Sequence, residues 1–158
     1  MKVTKVRLLV ALVLLVGWLC WLGYLAATQT NPVVLSRSQI MASTHFVVAD
    51  VTVDPATGQP NKNVTVKEDL RPLGMPLSGT ITVHNIKEAR IAGETDANRF
   101  GNGPYLLMLT RQPDGDGFEL TPPPRAPGDE HPMRPRPWAY RWNAPGVQDQ
   151  FNSLVPKK

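Results

Sequence analysis

The hydrophobic pattern changes character three times along the chain. Residues 8–27 (LLVALVLLVGWLCWLGYLAA) are twenty positions without a charge. At about 1.5 Å per residue, a helix of this length matches a hydrocarbon core of about 30 Å. No position supplies the polar face that a buried helix of a globular protein shows. The pattern predicts a transmembrane helix. Lys2, Lys5 and Arg7 in the basic segment 1–7 precede it, and Thr28, Gln29, Thr30 and Asn31 follow. The positive-inside bias therefore places the N-terminus in the cytoplasm and the rest in the periplasmic or extracellular space. Trp18, Trp21 and Tyr24 fall in the distal half, at the headgroup level aromatic rings prefer. A cleaved signal peptide is the competing reading, but cleavage after Ala27 or Ala26 puts Leu25 or Tyr24 where a small residue is needed. The expectation is a signal-anchor of a single-pass protein that contacts the lipid bilayer through residues 8–27.

Beyond the anchor the pattern alternates. In residues 46–54 (FVVADVTVD), Val47, Ala49, Val51 and Val53 fall on one face and Asp50, Thr52 and Asp54 on the other, the period of a half-buried strand. Residues 55–63 (PATGQPNKN) read as a loop. A second strand follows, with Val64, Val66 and Glu68 alternating with Thr65, Lys67 and Asp69. Residues 79–86 (GTITVHNI) predict a third, with Ile81 and Val83 inward and Thr80, Thr82 and His84 outward. Residues 87–91 suit a short helical turn, and the polar run 94–103 a loop at a functional rim. The nearly continuous apolar run 105–111 (YLLMLTR) predicts a central strand buried on both faces. It is joined by the turn PDGDG to a last strand over 118–121. The predicted class is mainly β, a small five-stranded OB-like barrel or curled sheet occupying the exported domain 28–121, because closure hides the edges of so few strands.

The third change comes in the tail, residues 122–158. Residues 122–137 hold seven prolines in sixteen positions, an extended polyproline-like connector. Trp138, Tyr140 and Trp142 then alternate with Ala139 and Arg141, so three rings project from one face of an extended chain. Two readings stand. The rings fold back over the open end of the barrel, or together with Arg136 and Arg141 they form a partner-contact strip. Val147, Phe151 and Leu154 follow Pro145 at helical spacing and predict a short C-terminal helix, too short to be stable undocked.

Composition narrows the chemistry. The single cysteine, Cys20, excludes an intrachain disulfide or a Cys-based zinc site. The formal charge of +4 is carried by the two ends, since residues 31–121 hold eight Lys/Arg against ten Asp/Glu. A slightly acidic middle argues against a nucleic-acid-binding domain. His45, His84 and His131 show no metal-ligand spacing, and no nucleophile or phosphate-loop motif is present, so no cofactor or metal is expected. Asn63-Val64-Thr65 has the form of a glycosylation sequon.

The succession FVVADVTVD, VTVKEDL, LSGTITVHNI, GNGPYLLMLTR and GFELTPPP resembles the strand order of netrin-like modules of the OB-fold type, with residues 100–111 the most telling piece. The family's cysteines are missing, including the N-terminal one that chelates a protease's catalytic zinc, so that mode of inhibition is not implied. The layout of anchor, barrel and Pro-Gly tail also resembles that of uncharacterised exported proteins of planctomycete-type bacteria. The expected function is a membrane-tethered extracytoplasmic binding or scaffolding module, not an enzyme, whose partner is another envelope protein. The alternative is a haem or metal carrier, because a tail bearing His131 and Tyr140 resembles the layout of the cytochrome c maturation haem chaperone; there, however, the His and Tyr share one short motif. An enzymatic reading would need His84 and the carboxylates of the 94–103 loop, at no spacing that chemistry requires.

Overall fold

The computed structural model describes residues 2–28, 33–71, 75–94, 96, 99–113, 115, 117–125, 128 and 135–155. The chain divides into two compact units, Met1–Asn31 and Pro32–Lys158.

The first unit is one helix, α1 (Lys2–Thr28). Its side chains are described at Arg7 and over residues 10–25, where all are exposed, Trp18, Trp21 and Tyr24 included. Among the described residues no helix is long and apolar enough to cross a membrane. This corrects the expected transmembrane helix over 8–27 and, with it, the single-pass, signal-anchor topology and the localisation deduced from it.

The second unit is mixed α/β. Its elements in chain order are α2 (Arg37–Ala42), β1 (His45–Val51), β2 (Asn63–Asp69), β3 (Gly79–Thr82), a 3-10 turn (Ile86–Glu88), β4 (Arg90–Ile91), β5 (Gly103–Arg111), β6 (Phe118–Leu120), β7 (Trp138–Arg141) and α3 (Val147–Leu154). They build a seven-stranded sheet in the order β3-β2-β1-β5-β7-β4, with β6 on β5. All the strand pairs are antiparallel except β4 with β7.

The expected five-stranded barrel is therefore corrected to an open sheet with helices. The physical reason lies along β5. One edge of this nine-residue strand pairs with β1, and the other is shared by two strands. Tyr105 and Leu106 take β7, while Leu109, Thr110 and Arg111 take β6. Among the described residues, β6 reaches the end of β3 through a Val83–Phe118 bridge and the His84 N–H donated to the Phe118 carbonyl, without a ladder. The segment read as a tail supplies an interior strand, because β7 lies between β5 and β4.

Side-chain alternation sorts two cores onto the two faces. Tyr105, Leu107 and Leu109 join Val47, Ala49, Val51, Val64, Ile91 and Leu120 in one core. Leu106 and Met108 join Phe46, Tyr140, Ile40, Val147 and Phe151 in the other, beneath α2 and α3. Residues 105–109 are all fully buried, which is why that run lacks alternation in the sequence.

Local chemistry sets the helix ends. Ser36 caps α2, its hydroxyl accepting from the Gln39 N–H. Gly146, at φ 81°, enters α3 in a left-handed conformation that favours glycine. The Gln150 side chain ties α3 to the segment before α2: its Oε1 accepts from the Leu35 N–H at 3.1 Å and its Nε2 donates to the Val33 carbonyl at 2.6 Å.

Candidate functional site

The antiparallel register brings several connections to one end of the sheet. Val51 closes β1 opposite Gly103, which opens β5; Asn63 opens β2 opposite Thr82, which closes β3; and Arg141 closes β7 opposite Tyr105. β4 runs parallel to β7 and so points the same way. Segments 52–62, 83–89, 92–102 and 142–146 thus start or finish at this end, and polar functional groups collect there.

One group centres on Arg141. Its Nε donates to Glu94 Oε1 at 2.5 Å, and its guanidinium carbon lies 5.6 Å from the centre of the Tyr105 ring. Both charged side chains are partly exposed, so the ion pair contributes at most about 1 kcal/mol. Tyr105 is buried, and its hydroxyl accepts from the Gly101 N–H and donates to the Gly101 carbonyl. A Cβ at residue 101 would lie 3.0 Å from Arg141 Nη2, so the absence of a side chain there leaves room for the guanidinium. Asn102 Oδ1 accepts from the Val53 N–H at 2.7 Å, joining this rim to the end of β1. The loop expected at 94–103 is therefore held by side chains at its described residues.

The second group is an open polar hollow of ≈ 480 Å³ bounded by the 54–63 connection, Thr82 and Lys87. The connection is a hairpin extension braced by a Val53–Pro60 bridge and by the Asp54 N–H donated to the Gln59 carbonyl. Asp54 holds the turn. One carboxylate oxygen accepts from the Ala56 N–H and the other from the Thr57 hydroxyl. The Ala56 bond, then the Thr57 bond, and to a lesser extent the charge of Lys87, hold the Asp54 carboxyl below its ordinary range. A depressed folded pKa gives stability that is present above the unfolded value and lost as pH falls through the folded one. Acid titration is expected to loosen residues 54–59 before the sheet, and Asp54→Asn to remove that early step. Amide exchange followed against pH checks this; identical acid profiles for the two proteins would contradict it.

The candidate partner-contact residues are divided by the fold. Tyr140 is buried; its hydroxyl accepts from the Ser36 N–H at 2.9 Å and lies 3.4 Å from Gln39 Oε1. Trp138 and Trp142 pack half-buried against the same core, and the Trp142 ring meets Phe151 edge-on at 6.4 Å. The three rings do share a face, and that face covers the sheet beside α2 and α3. Arg141 belongs to the Glu94 and Tyr105 group, and Arg136 is exposed. His131, the proposed haem ligand, lies outside the described residues. Of the other histidines, His45 lies edge-on to Phe118 at 5.4 Å and His84 is exposed beside Gly117. Among the described residues no group of three His, Cys, Asp or Glu side chains is placed to hold a metal ion.

Sequence reasoning missed the hollow. Lys62 and Lys87 are brought to one site by the β2–β3 pairing, a relation that no local motif encodes.

Fold and site together define a mixed α/β domain with a loop-bearing polar end. Compared with protein families, with curated proteins and with solved structures, the chain matches none. The netrin-like resemblance accordingly rests on the strand segments alone.

Proposed function

We propose that the protein is a non-catalytic binding module that presents the loop end of its sheet to another protein. The observation that carries this reading is the convergence of segments 52–62 and 92–102 at one end of a sheet whose central strands, β1 and β5, are covered on both faces by the protein's own chain. Loops held at the end of such a scaffold are where binding residues concentrate. Five of the described carboxylates support the non-catalytic part. Asp54 and Asp69 accept backbone N–H groups in turns, Asp50 pairs with Lys67, Glu94 with Arg141, and Glu119 accepts from Gln112. These are structural assignments, and the Asp54 carboxyl, held below its ordinary range, is pushed away from the range a general base needs.

The test is photocrosslinking of the full chain in its own cells, with a benzophenone side chain at Gln59 or Arg99 on the loop end, or at Arg111 at the far end of β5. Discrete protein adducts are expected from the first two positions and not from the third. Equal adducts at all three positions, or adducts at Arg111 alone, would refute the reading.

A further inference from the structure

We propose that the hollow between the 54–63 hairpin and β3 is a binding site for a small phosphomonoester of about monosaccharide size. The argument is a census of hydrogen-bonding capacity and does not depend on the protein-contact reading. The acceptor oxygens of Asn61, Asn63 and Asp54, which border the hollow, are already engaged within the chain. Asn61 Oδ1 accepts from the Asn63 N–H at 3.2 Å, and Asn63 Oδ1 accepts from the Thr82 hydroxyl at 3.1 Å. Both oxygens of Asp54 accept from Ala56 and Thr57. These bonds leave the donor halves of the two amides, together with the ammonium groups of Lys62 and Lys87, to meet a ligand. Neither lysine makes an ion pair with a described carboxylate.

A wall that offers donors and an excess of positive charge selects a ligand that offers acceptors and negative charge. A phosphomonoester carries up to three terminal oxygens and close to two negative charges near neutral pH. The two lysines, offset by the engaged Asp54, complement it. The hollow is open to solvent, and its volume of ≈ 480 Å³ exceeds what a bare oxyanion fills. The site is also built in advance. Val83 donates its N–H to the Lys62 carbonyl at 2.8 Å, Asn61 donates its N–H to the Thr52 carbonyl at 2.8 Å, and Gly58 turns the hairpin at φ 67°. A scaffold already ordered loses little freedom when a ligand binds.

The experiment is a nitrogen-15 NMR titration of the full chain with glucose 6-phosphate, inorganic phosphate, glucuronate and glucose. Glucose 6-phosphate is expected to shift the Asn61 and Asn63 side-chain amides saturably; inorganic phosphate should shift the same signals more weakly, and glucose should leave them unmoved. The double variant Lys62→Gln/Lys87→Gln should weaken the glucose 6-phosphate response about tenfold or more. Lys67→Gln, which removes a lysine paired with Asp50, should leave it unchanged. The proposal fails if the shifts do not saturate, if glucose acts as well as its phosphate, or if glucuronate matches glucose 6-phosphate. An equal effect of Lys67→Gln would also overturn it. Retained chemical-shift dispersion in each variant shows that loss of binding is not loss of fold.

Discussion

Replacing Tyr140 with alanine is expected to lower the stability of the second unit by about 3–5 kcal/mol, the range for deleting a large buried aromatic. Tyr140 is 1% exposed and sits where β7 meets α2. Its ring fills the second core and its hydroxyl accepts from the Ser36 N–H, at the residue that caps α2. Tyr140→Phe separates the two contributions. It keeps the ring but removes the acceptor of the partly buried Ser36 N–H, and a cost of about 1 kcal/mol follows from the lost hydrogen bond. Urea denaturation of the three proteins measures both steps. A phenylalanine variant as stable as the parent would show that the hydroxyl does not hold α2 in place. Burial also pushes the Tyr140 hydroxyl pKa up, partly offset by the Ser36 bond. A raised folded pKa stabilises the fold below the unfolded value of about 10 and loses that contribution as pH rises through the folded one. Tyr140→Phe is therefore expected to lack this alkaline loss.

Phe151→Ala is expected to cost about 3–5 kcal/mol and to release α3 before the sheet melts. Phe151 is the central apolar contact of an eight-residue helix, its ring 5.6 Å from that of Phe46 and 6.4 Å from that of Trp142. A helix of this length is not stable alone in water, so its persistence depends on docking. Once α3 lifts, Gln150 also withdraws its two bonds from Val33 and Leu35. Hydrogen exchange should show α3 and residues 33–35 losing protection together, with β1 and β5 still protected. Uniform loss across the sheet at the same rate would mean that α3 is not a separable unit.

How much of this could be read in advance depends on the range of the signal. β1 and β2 were legible because alternation places successive side chains on opposite faces, and β5 because burial on both faces leaves an unbroken apolar run. The C-terminal helix was legible from Val147, Phe151 and Leu154 at helical spacing. α2 was missed, although Ser36 and Gln39 stand at the spacing of a capping box, because six residues are too few to display a helical period. β4 was missed because two residues carry no period at all, and Arg90 and Ile91 become a strand only beside Trp138 and Ala139. The barrel expectation failed on a matter of edges. It followed from the need to cover five strands with one another, whereas the structure brings β7 from beyond the proline-rich segment onto β5.

The sequence by itself determined which residues become the main strands and which face each side chain takes, since both follow from the geometry of a few consecutive peptide units. Tertiary structure alone decided that Tyr140 is a core residue, that Arg141 meets Glu94 above Tyr105, and that Lys62 and Lys87 border one hollow. Such placements depend on which strand edges pair, and pairing is a competition among segments far apart in the chain that no local periodicity records.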